Sequence, residues 1–398
     1  MINTLREAYN SAFTLAKYEA FLNHIASLYD YRPSFRIAET PVFIPDDFRD
    51  KLVKACEDIA DVICAPDFIK NTEGSMQSQH CVPHEDAHST FLVVDFGVCE
   101  EKGELVPKLI ELQGFPSLFF FQIDLADAYA HIFDIPKSMT SYFNGLNREG
   151  YLKLLKDIMV GDTDPKNVVL LEIEPEKQNT QVDFWSTAHY LGIKVLCLTK
   201  VIKKGKKLYY QAENGRNIHI KKIYNRVIFD ELERRPDLRF GFNFTDDIDV
   251  EWIGHPNWFF RISKYTLPLL KSDYVPKTHF LHQIDTAQLD LSQYVLKPLF
   301  SFSGQGVTIN VTQADIDAVT DKPNWILQEK VHYSPILKTP SGDTKVEIRM
   351  LMVWKKEWER PRLVNNLVRL SKGEMIGVRY NKDKDWVGGS IGYINPIY

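Results

Sequence analysis

The sequence has no long apolar run, no large excess of one charge and no cysteine pattern, and each absence removes a class of protein. Its longest apolar stretches, such as those at 168–173 and 118–121, are strand-length, whereas a membrane helix needs about 20 apolar residues. Net charge is −5 over 398 residues, so no global basic field recruits nucleic acid. Five cysteines, Cys56, Cys64, Cys81, Cys99 and Cys197, are scattered without a C-x-x-C pair. That argues against a disulfide framework and points to a reducing, cytoplasmic setting. No basic segment followed by an apolar one opens the chain, so no signal peptide is expected. No Gly-Lys-Ser/Thr opens a helix, which rules out a Walker loop. No G-x-G-x-x-G follows the first strand of the region 165–235, which argues against a dinucleotide site.

What is present suits a soluble mixed protein. Hydrophobic residues make up 44% of the chain, enough for a sizeable core, and the length fits two or three domains. Residues 1–31 read largely as helix, with Leu5, Tyr9, Ala12, Phe13 and Ala16 on one face. A second helix starts near Asp46-Asp47 and carries Phe48, Leu52, Ala55, Ile59 and Ile63 on one side; its acidic start suits the helix dipole. Residues 120–160 return to helix, and Asp162-Thr163-Asp164-Pro165 marks a boundary.

The stretch 165–235 has a strand–helix–strand rhythm, with strands at 168–173, 193–198 and 223–228 and a helix stopped by Gly192. In open α/β sheets, ligands bind at the carboxyl ends of the strands. Asn225 and Arg226 fall there. Arg226 has two readings, a partner for a substrate carboxylate or for Asp230 or Glu231. His80, His84 and His88, with Cys81 among them, have helical spacing, but Pro83 interrupts the helix. They read as loop histidines rather than a zinc centre.

Two stretches carry chemistry. In the first, Tyr294-Val295-Leu296-Lys297-Pro298 delivers a lysine, Ser303-Gly304-Gln305-Gly306 forms a glycine-containing loop, and a second strand is expected over 307–311. A lysine is a compact charge suited to phosphate, and glycines let backbone N–H groups approach an anion. In the second, a strand carries Asp95 near its end and the next strand carries Glu111 and Gln113 on one face. Two carboxylates and an amide oxygen make a hard-oxygen set suited to Mg²⁺. Further on, Glu347, Arg349 and Arg369 are charged residues inside otherwise apolar strands. An arginine in such a place is either ion-paired or waiting for an anion.

Taken in order, these pieces resemble the ATP-grasp superfamily over residues 264–389. Lys264 and Lys297 look like its two phosphate-binding lysines, and Ser303, Gly304, Gln305 and Gly306 like its loop over the phosphates. Gln328-Glu329-Lys330-Val331 resembles the hinge whose backbone reads adenine, and Glu347, Arg349 and Arg369 resemble the charged strands of the catalytic lobe. The family's terminal metal ligands are missing after Arg369, while Asp95, Glu111 and Gln113 stand upstream. That order is similar to the circularly permuted branch typified by the synthetase half of glutathionylspermidine synthase, with Gln113 in place of the family's asparagine.

The resemblance implies an α/β (α+β) architecture. Two α/β lobes would clasp ATP, beside a Rossmann-like pre-ATP-grasp domain. The segments would be 1–160 (N-terminal helices and metal-binding strands), 161–245 (substrate domain) and 246–398 (nucleotide lobe and remaining catalytic strands). It implies an ATP- and Mg²⁺-dependent carboxylate–amine ligase acting through an acyl phosphate. The cofactors would be ATP and Mg²⁺. Small-molecule carboxylate and amine substrates would be its partners, with no nucleic acid and no membrane. Lys297, Arg349 and Arg369 would act on the developing charge. A phosphotransferase, a nucleotide-binding protein without turnover and a plain scaffold are the other readings.

Overall fold

A computed structural model describes residues 1–301, 305–373, 376 and 381–396. Its organising element is a five-stranded antiparallel sheet, in the spatial order Gly388–Ser390, Arg362–Ser371, Lys345–Val353, Phe91–Glu101, Glu104–Gln113. Strands from the two ends of the chain therefore pair directly, with Arg349 opposite Asp95 and Glu347 opposite both Gly97 and Arg369.

The two faces of this sheet follow from the period of two along each strand. On one face Leu92, Val94, Phe96, Ile348, Met350 and Met352 are buried. The helix Asp46–Ile63 covers them with the apolar stripe expected from its sequence, Phe48 through Ile63. Two acidic residues in its first turn complement the helix dipole. On the other face Phe91, Val93, Leu351, Val353 and Val364 join a second core. Toward the far end of that face the same alternation presents Asp95, Glu347 and Arg349, which pair across the strands. One sheet face thus changes from apolar to ionic along its length.

A parallel four-stranded sheet, ordered Glu251–Ile253, Lys222–Asn225, Val168–Glu172, Lys194–Cys197, lies beyond. All its neighbours run parallel. Its strand Val168–Glu172 is buried along its whole length, as a parallel core strand should be. The helix Gln181–Leu191 ends at Gly192, whose φ of 70° is left-handed and suits a residue without Cβ. A three-stranded antiparallel sheet, Thr278–Phe280, Trp325–Glu329, Tyr294–Pro298, completes the scaffold of the site.

Several expected elements differ. The N-terminal helix is two helices, Asn3–Ala12 and Leu15–Tyr29, the second capped by Thr14, which accepts from the Lys17 amide. The 120–160 segment is also two, Phe121–Ile132 and Arg148–Met159. The lysine strand does not pair with a strand at 307–311. It pairs with Trp325–Glu329, and among the described residues of the loop only Thr308 bridges back, to Leu296. The physical reason is burial: the face bearing Leu296 and Leu327 closes a small core with Val311 and Ile316, which a hairpin alone would leave uncovered. His80 ends a short 3-10 turn, Ser78–His80, and His84 and His88 lie in the loop that follows.

Candidate functional site

A cavity of about 710 Å³ opens between the parallel sheet and the ionic face of the central sheet. Arg226 and Glu172 line it from the carboxyl ends of the parallel strands, Arg349, Arg369 and Glu111 from the central sheet, and Lys264 from the segment between them.

The central sheet supplies a chain of ion pairs. Arg349 donates from Nε and Nη2 to the two Asp95 oxygens, at 2.6 Å each. Arg369 donates from Nη2 to Asp95 Oδ2 at 2.7 Å and pairs with Glu347. Burial pushes the Asp95 carboxyl up, but Arg349 and then Arg369 outweigh it and hold it below its ordinary value. Burial raises the Glu347 carboxyl, and Tyr333 donates to it at 2.6 Å.

The expected metal set converges on a guanidinium instead. Glu111 lies 4.0 Å from Arg349 Nη2. Gln113, in the amide orientation that satisfies both its ends, accepts from Arg349 Nη1 and Nη2 at 3.2 Å. Both Asp95 oxygens are already bonded to arginine. As a set, Asp95, Glu111 and Gln113 do not fit a cation, because the Arg349 charge already satisfies them. Among the described residues no group of three or more His, Cys, Asp or Glu is arranged to hold a metal ion. Glu111 alone keeps an exposed oxygen toward the cavity, at 37% side-chain exposure.

The two lysines are buried without carboxylate partners among the described residues. Lys264 Nζ donates to the Leu299 carbonyl at 3.4 Å and to both oxygens of Ser301. Lys297 Nζ donates to the Ile110 carbonyl at 3.1 Å and to Gln328 Oε1 at 2.5 Å. Ile110 is the extra residue of a bulge opposite Asp95 and Phe96, and such bulges re-aim groups near sites. Burial lowers both amines, Lys297 to about 8. All of their acceptors are neutral, so each ammonium has capacity for an anion.

Of the expected nucleotide contacts among the described residues, only Lys264 lines the cavity; Lys297, Gln328, Glu329, Lys330, Val331 and Glu347 do not. The Glu329 and Lys330 amides already donate to the Lys277 and Gln293 carbonyls. Gln305 accepts from Arg234 at 2.9 Å, and Gly306, at φ 71°, packs beside Pro298. Ser303 and Gly304 lie outside the described residues.

At the other end of the cavity Arg226 is 3% exposed. Its Nε and Nη1 have no hydrogen-bond partner among the described residues, and its guanidinium lies over the Phe115 ring at 4.5 Å and the Phe184 ring at 5.5 Å. Neither Asp230 nor Glu231 forms an ion pair with it, which removes the alternative reading from sequence. Asn225 does not line the cavity; its Oδ1 accepts from the Val227 amide at 3.1 Å, shaping the turn that carries Arg226. Burial pushes Glu172 up to about 8, opposed in part by Arg226. Tyr333, Gly97 and Phe115 contribute contacts that no sequence pattern marked; their only signal was position, Tyr333 two residues beyond the hinge segment and Phe115 two beyond Gln113.

No family model matches the chain, and no curated protein does. Among solved structures, the chain is similar to a glutathione synthetase-like effector, GSS30, from Globodera pallida in its apo form. The TM-score is 0.56 at 11% identity, covering 95% of this chain and 97% of that one. The likeness is one of fold, a mixed α/β architecture shared over nearly the whole of both chains.

Proposed function

We propose that the chain is an ATP-dependent carboxylate–amine ligase on an ATP-grasp-like, circularly permuted scaffold. The observation that carries this reading is the pair of buried lysines, Lys264 and Lys297, whose acceptors are all neutral. The cost of burying these ammonium groups is offset only in part by the nearby Glu111 carboxylate, and a polyphosphate removes what remains. Lys264 shares the cavity with Arg349 and Arg369. The fold likeness to a protein described as glutathione synthetase-like points the same way.

In this reading Arg226 holds the substrate by a carboxylate. A substrate carboxylate oxygen attacks the terminal phosphorus of ATP, ADP departs, and an amine then attacks the acyl carbon and releases inorganic phosphate. The amine proton passes to solvent. Lys264, Arg349 and Arg369 neutralise charge as it develops, and no side chain acts as a covalent nucleophile. No step runs through a metal, since the oxygen set is closed on Arg349. Any dependence on Mg²⁺ would rest on Glu111 and the phosphates themselves.

A second reading, a nucleotide-binding protein without turnover, is favoured by that same closure. One assay separates them: ADP release with ATP against panels of carboxylates, with and without amines. ADP that requires both a carboxylate and an amine supports the ligase. ADP with a carboxylate alone indicates a phosphotransferase. ATP binding without ADP supports the second reading.

A further inference from the structure

Between the small sheet and the central sheet the protein's own side chains pack against the strand Phe91–Glu101, Tyr333 and Val331 among them. Tyr333 follows the strand Trp325–Glu329 and lays its ring across the strand Phe91–Glu101 at Gly97. A Cβ at position 97 would stand 2.9 Å from Tyr333 Cε1 and 3.0 Å from its Cζ, with Val331 Cγ1 at 3.1 Å. Gly97 sits in mid-strand, paired on both sides, and its φ is not in the left-handed region. A glycine there weakens a strand and marks a close approach. The approaching group is the Tyr333 ring.

The ring is also tethered. Its hydroxyl donates to Glu347 Oε2 at 2.6 Å. Glu347 pairs with Arg369, Arg369 with Asp95, and Asp95 with Arg349. The tether therefore ends on the two arginines that line the cavity. Between the same two sheets Lys297 bonds Gln328 and the Ile110 carbonyl. The open cavity reaches none of Lys297, Gln328, Val331 or Glu347.

We infer that Tyr333 is a gate: its ring occupies the place a planar nucleotide base takes between the 328–331 segment and the central sheet, and its bond to Glu347 holds that place closed until a nucleoside triphosphate enters. This rests on the ligase reading for the identity of the ligand. Opening breaks the bond to Glu347, so the affinity observed is the intrinsic affinity reduced by the fraction of open protein. The gate also couples base entry to the Arg369–Asp95–Arg349 chain.

The test is ATP titration by calorimetry on wild type, Tyr333→Phe and Gly97→Ala, with thermal melts to establish that each is folded. Tyr333→Phe keeps the ring and removes the tether. Gly97→Ala keeps the tether and puts a methyl group where both the ring and a base would lie. Tyr333→Phe is expected to bind ATP more tightly, by about tenfold, the worth of one hydrogen bond to a charged group, and Gly97→Ala more weakly than wild type. Equal or weaker binding by Tyr333→Phe, or unchanged binding by Gly97→Ala, with wild type binding ATP, overturns the gate and leaves the ligase reading standing. Tighter binding without ADP release against any substrate panel supports the gate and removes the ligase reading. No ATP binding by any of the three overturns both.

Discussion

Arg349 grips Asp95 with two parallel hydrogen bonds of 2.6 Å across neighbouring strands, and this pair sets the electrostatics of the ionic sheet face. Asp95 is 1% exposed at its side chain and Arg349 is 10% exposed. Removing one partner of a buried pair leaves the other uncompensated, at about 3–5 kcal/mol. Arg349→Met is therefore expected to lower unfolding stability by that order, softened by Arg369, which still bonds Asp95. Asp95→Leu with Arg349→Met should cost far less than the sum of the singles, which urea unfolding of the three variants measures. The Asp95 carboxyl is held below its ordinary value. Its contribution is thus present above the unfolded value of about 3.9 and lost as pH falls through the lower folded one. Acid unfolding of wild type at higher pH than of Asp95→Asn contradicts this.

Lys297→Met is expected to separate stability from binding. Burial lowers the Lys297 amine from 10.5 to about 8, so the fold favours the neutral form. At pH 7 the ammonium is a burden on stability, and that burden fades as pH rises from about 8 toward the unfolded value of about 10.4. The methionine variant should be at least as stable as wild type at pH 7, with its advantage shrinking by pH 10. Its ATP affinity should fall by at least about tenfold, since a charge-assisted contact is lost. A variant that melts early at pH 7, or binds ATP unchanged, contradicts the assignment.

Much of the scaffold was legible because it rests on short-period patterns. The helix Asp46–Ile63 announces its buried face through residues three and four apart. The strands carrying Glu111 with Gln113 and Glu347 with Arg349 show their polar and apolar sides by simple alternation. What alternation does not encode is the partner. Asp95, Glu111 and Gln113 read as a cation's oxygens because Arg349 is more than two hundred residues away along the chain, yet lies opposite Asp95 in the sheet. The strand expected at 307–311 failed for a related reason. Of its apolar residues, Val311 joins a small core with Leu296 and Leu327 without strand pairing, while Val307 and Ile309 stay half-buried. Tyr333 had no readable role at all, since its seat, Gly97, is identified only by the distance a Cβ would leave.

Arg226→Met is expected to abolish substrate recognition with little loss of stability. The guanidinium lies over Phe115 at 4.5 Å, and its Nε and Nη1 lack partners among the described residues. Methionine fills similar space on the rings and leaves no donor unsatisfied. Thermal shift by carboxylates, tested with a set of small mono- and dicarboxylic acids, should appear in wild type and vanish in the variant. Arg226→Lys should restore it only in part, because an ammonium cannot form the two-pronged contact. Full retention of carboxylate shifts in Arg226→Met would place recognition elsewhere in the cavity.

Glu172 gives the cavity a pH dependence of its own. Burial moves its carboxyl from 4.5 up to about 8, against the pull of Arg226. Across that interval the folded protein keeps a proton that the unfolded chain releases. Stability therefore falls as pH rises from about 4.5 to about 8, by at most about 1.4 kcal/mol per pH unit for one group. Glu172→Gln is neutral throughout and has no such slope. Urea midpoints at pH 5, 6.5 and 8 should show wild type losing ground to the glutamine variant at each step. The same group lines the cavity beside Arg226. A carboxylate ligand on Arg226 favours the protonated Glu172, since two negative charges on one guanidinium repel. Carboxylate binding by wild type should weaken between pH 6.5 and 8.5, and in Glu172→Gln it should not. Parallel pH profiles for the two proteins would separate Glu172 from ligand recognition and leave it a buried acid of the parallel sheet.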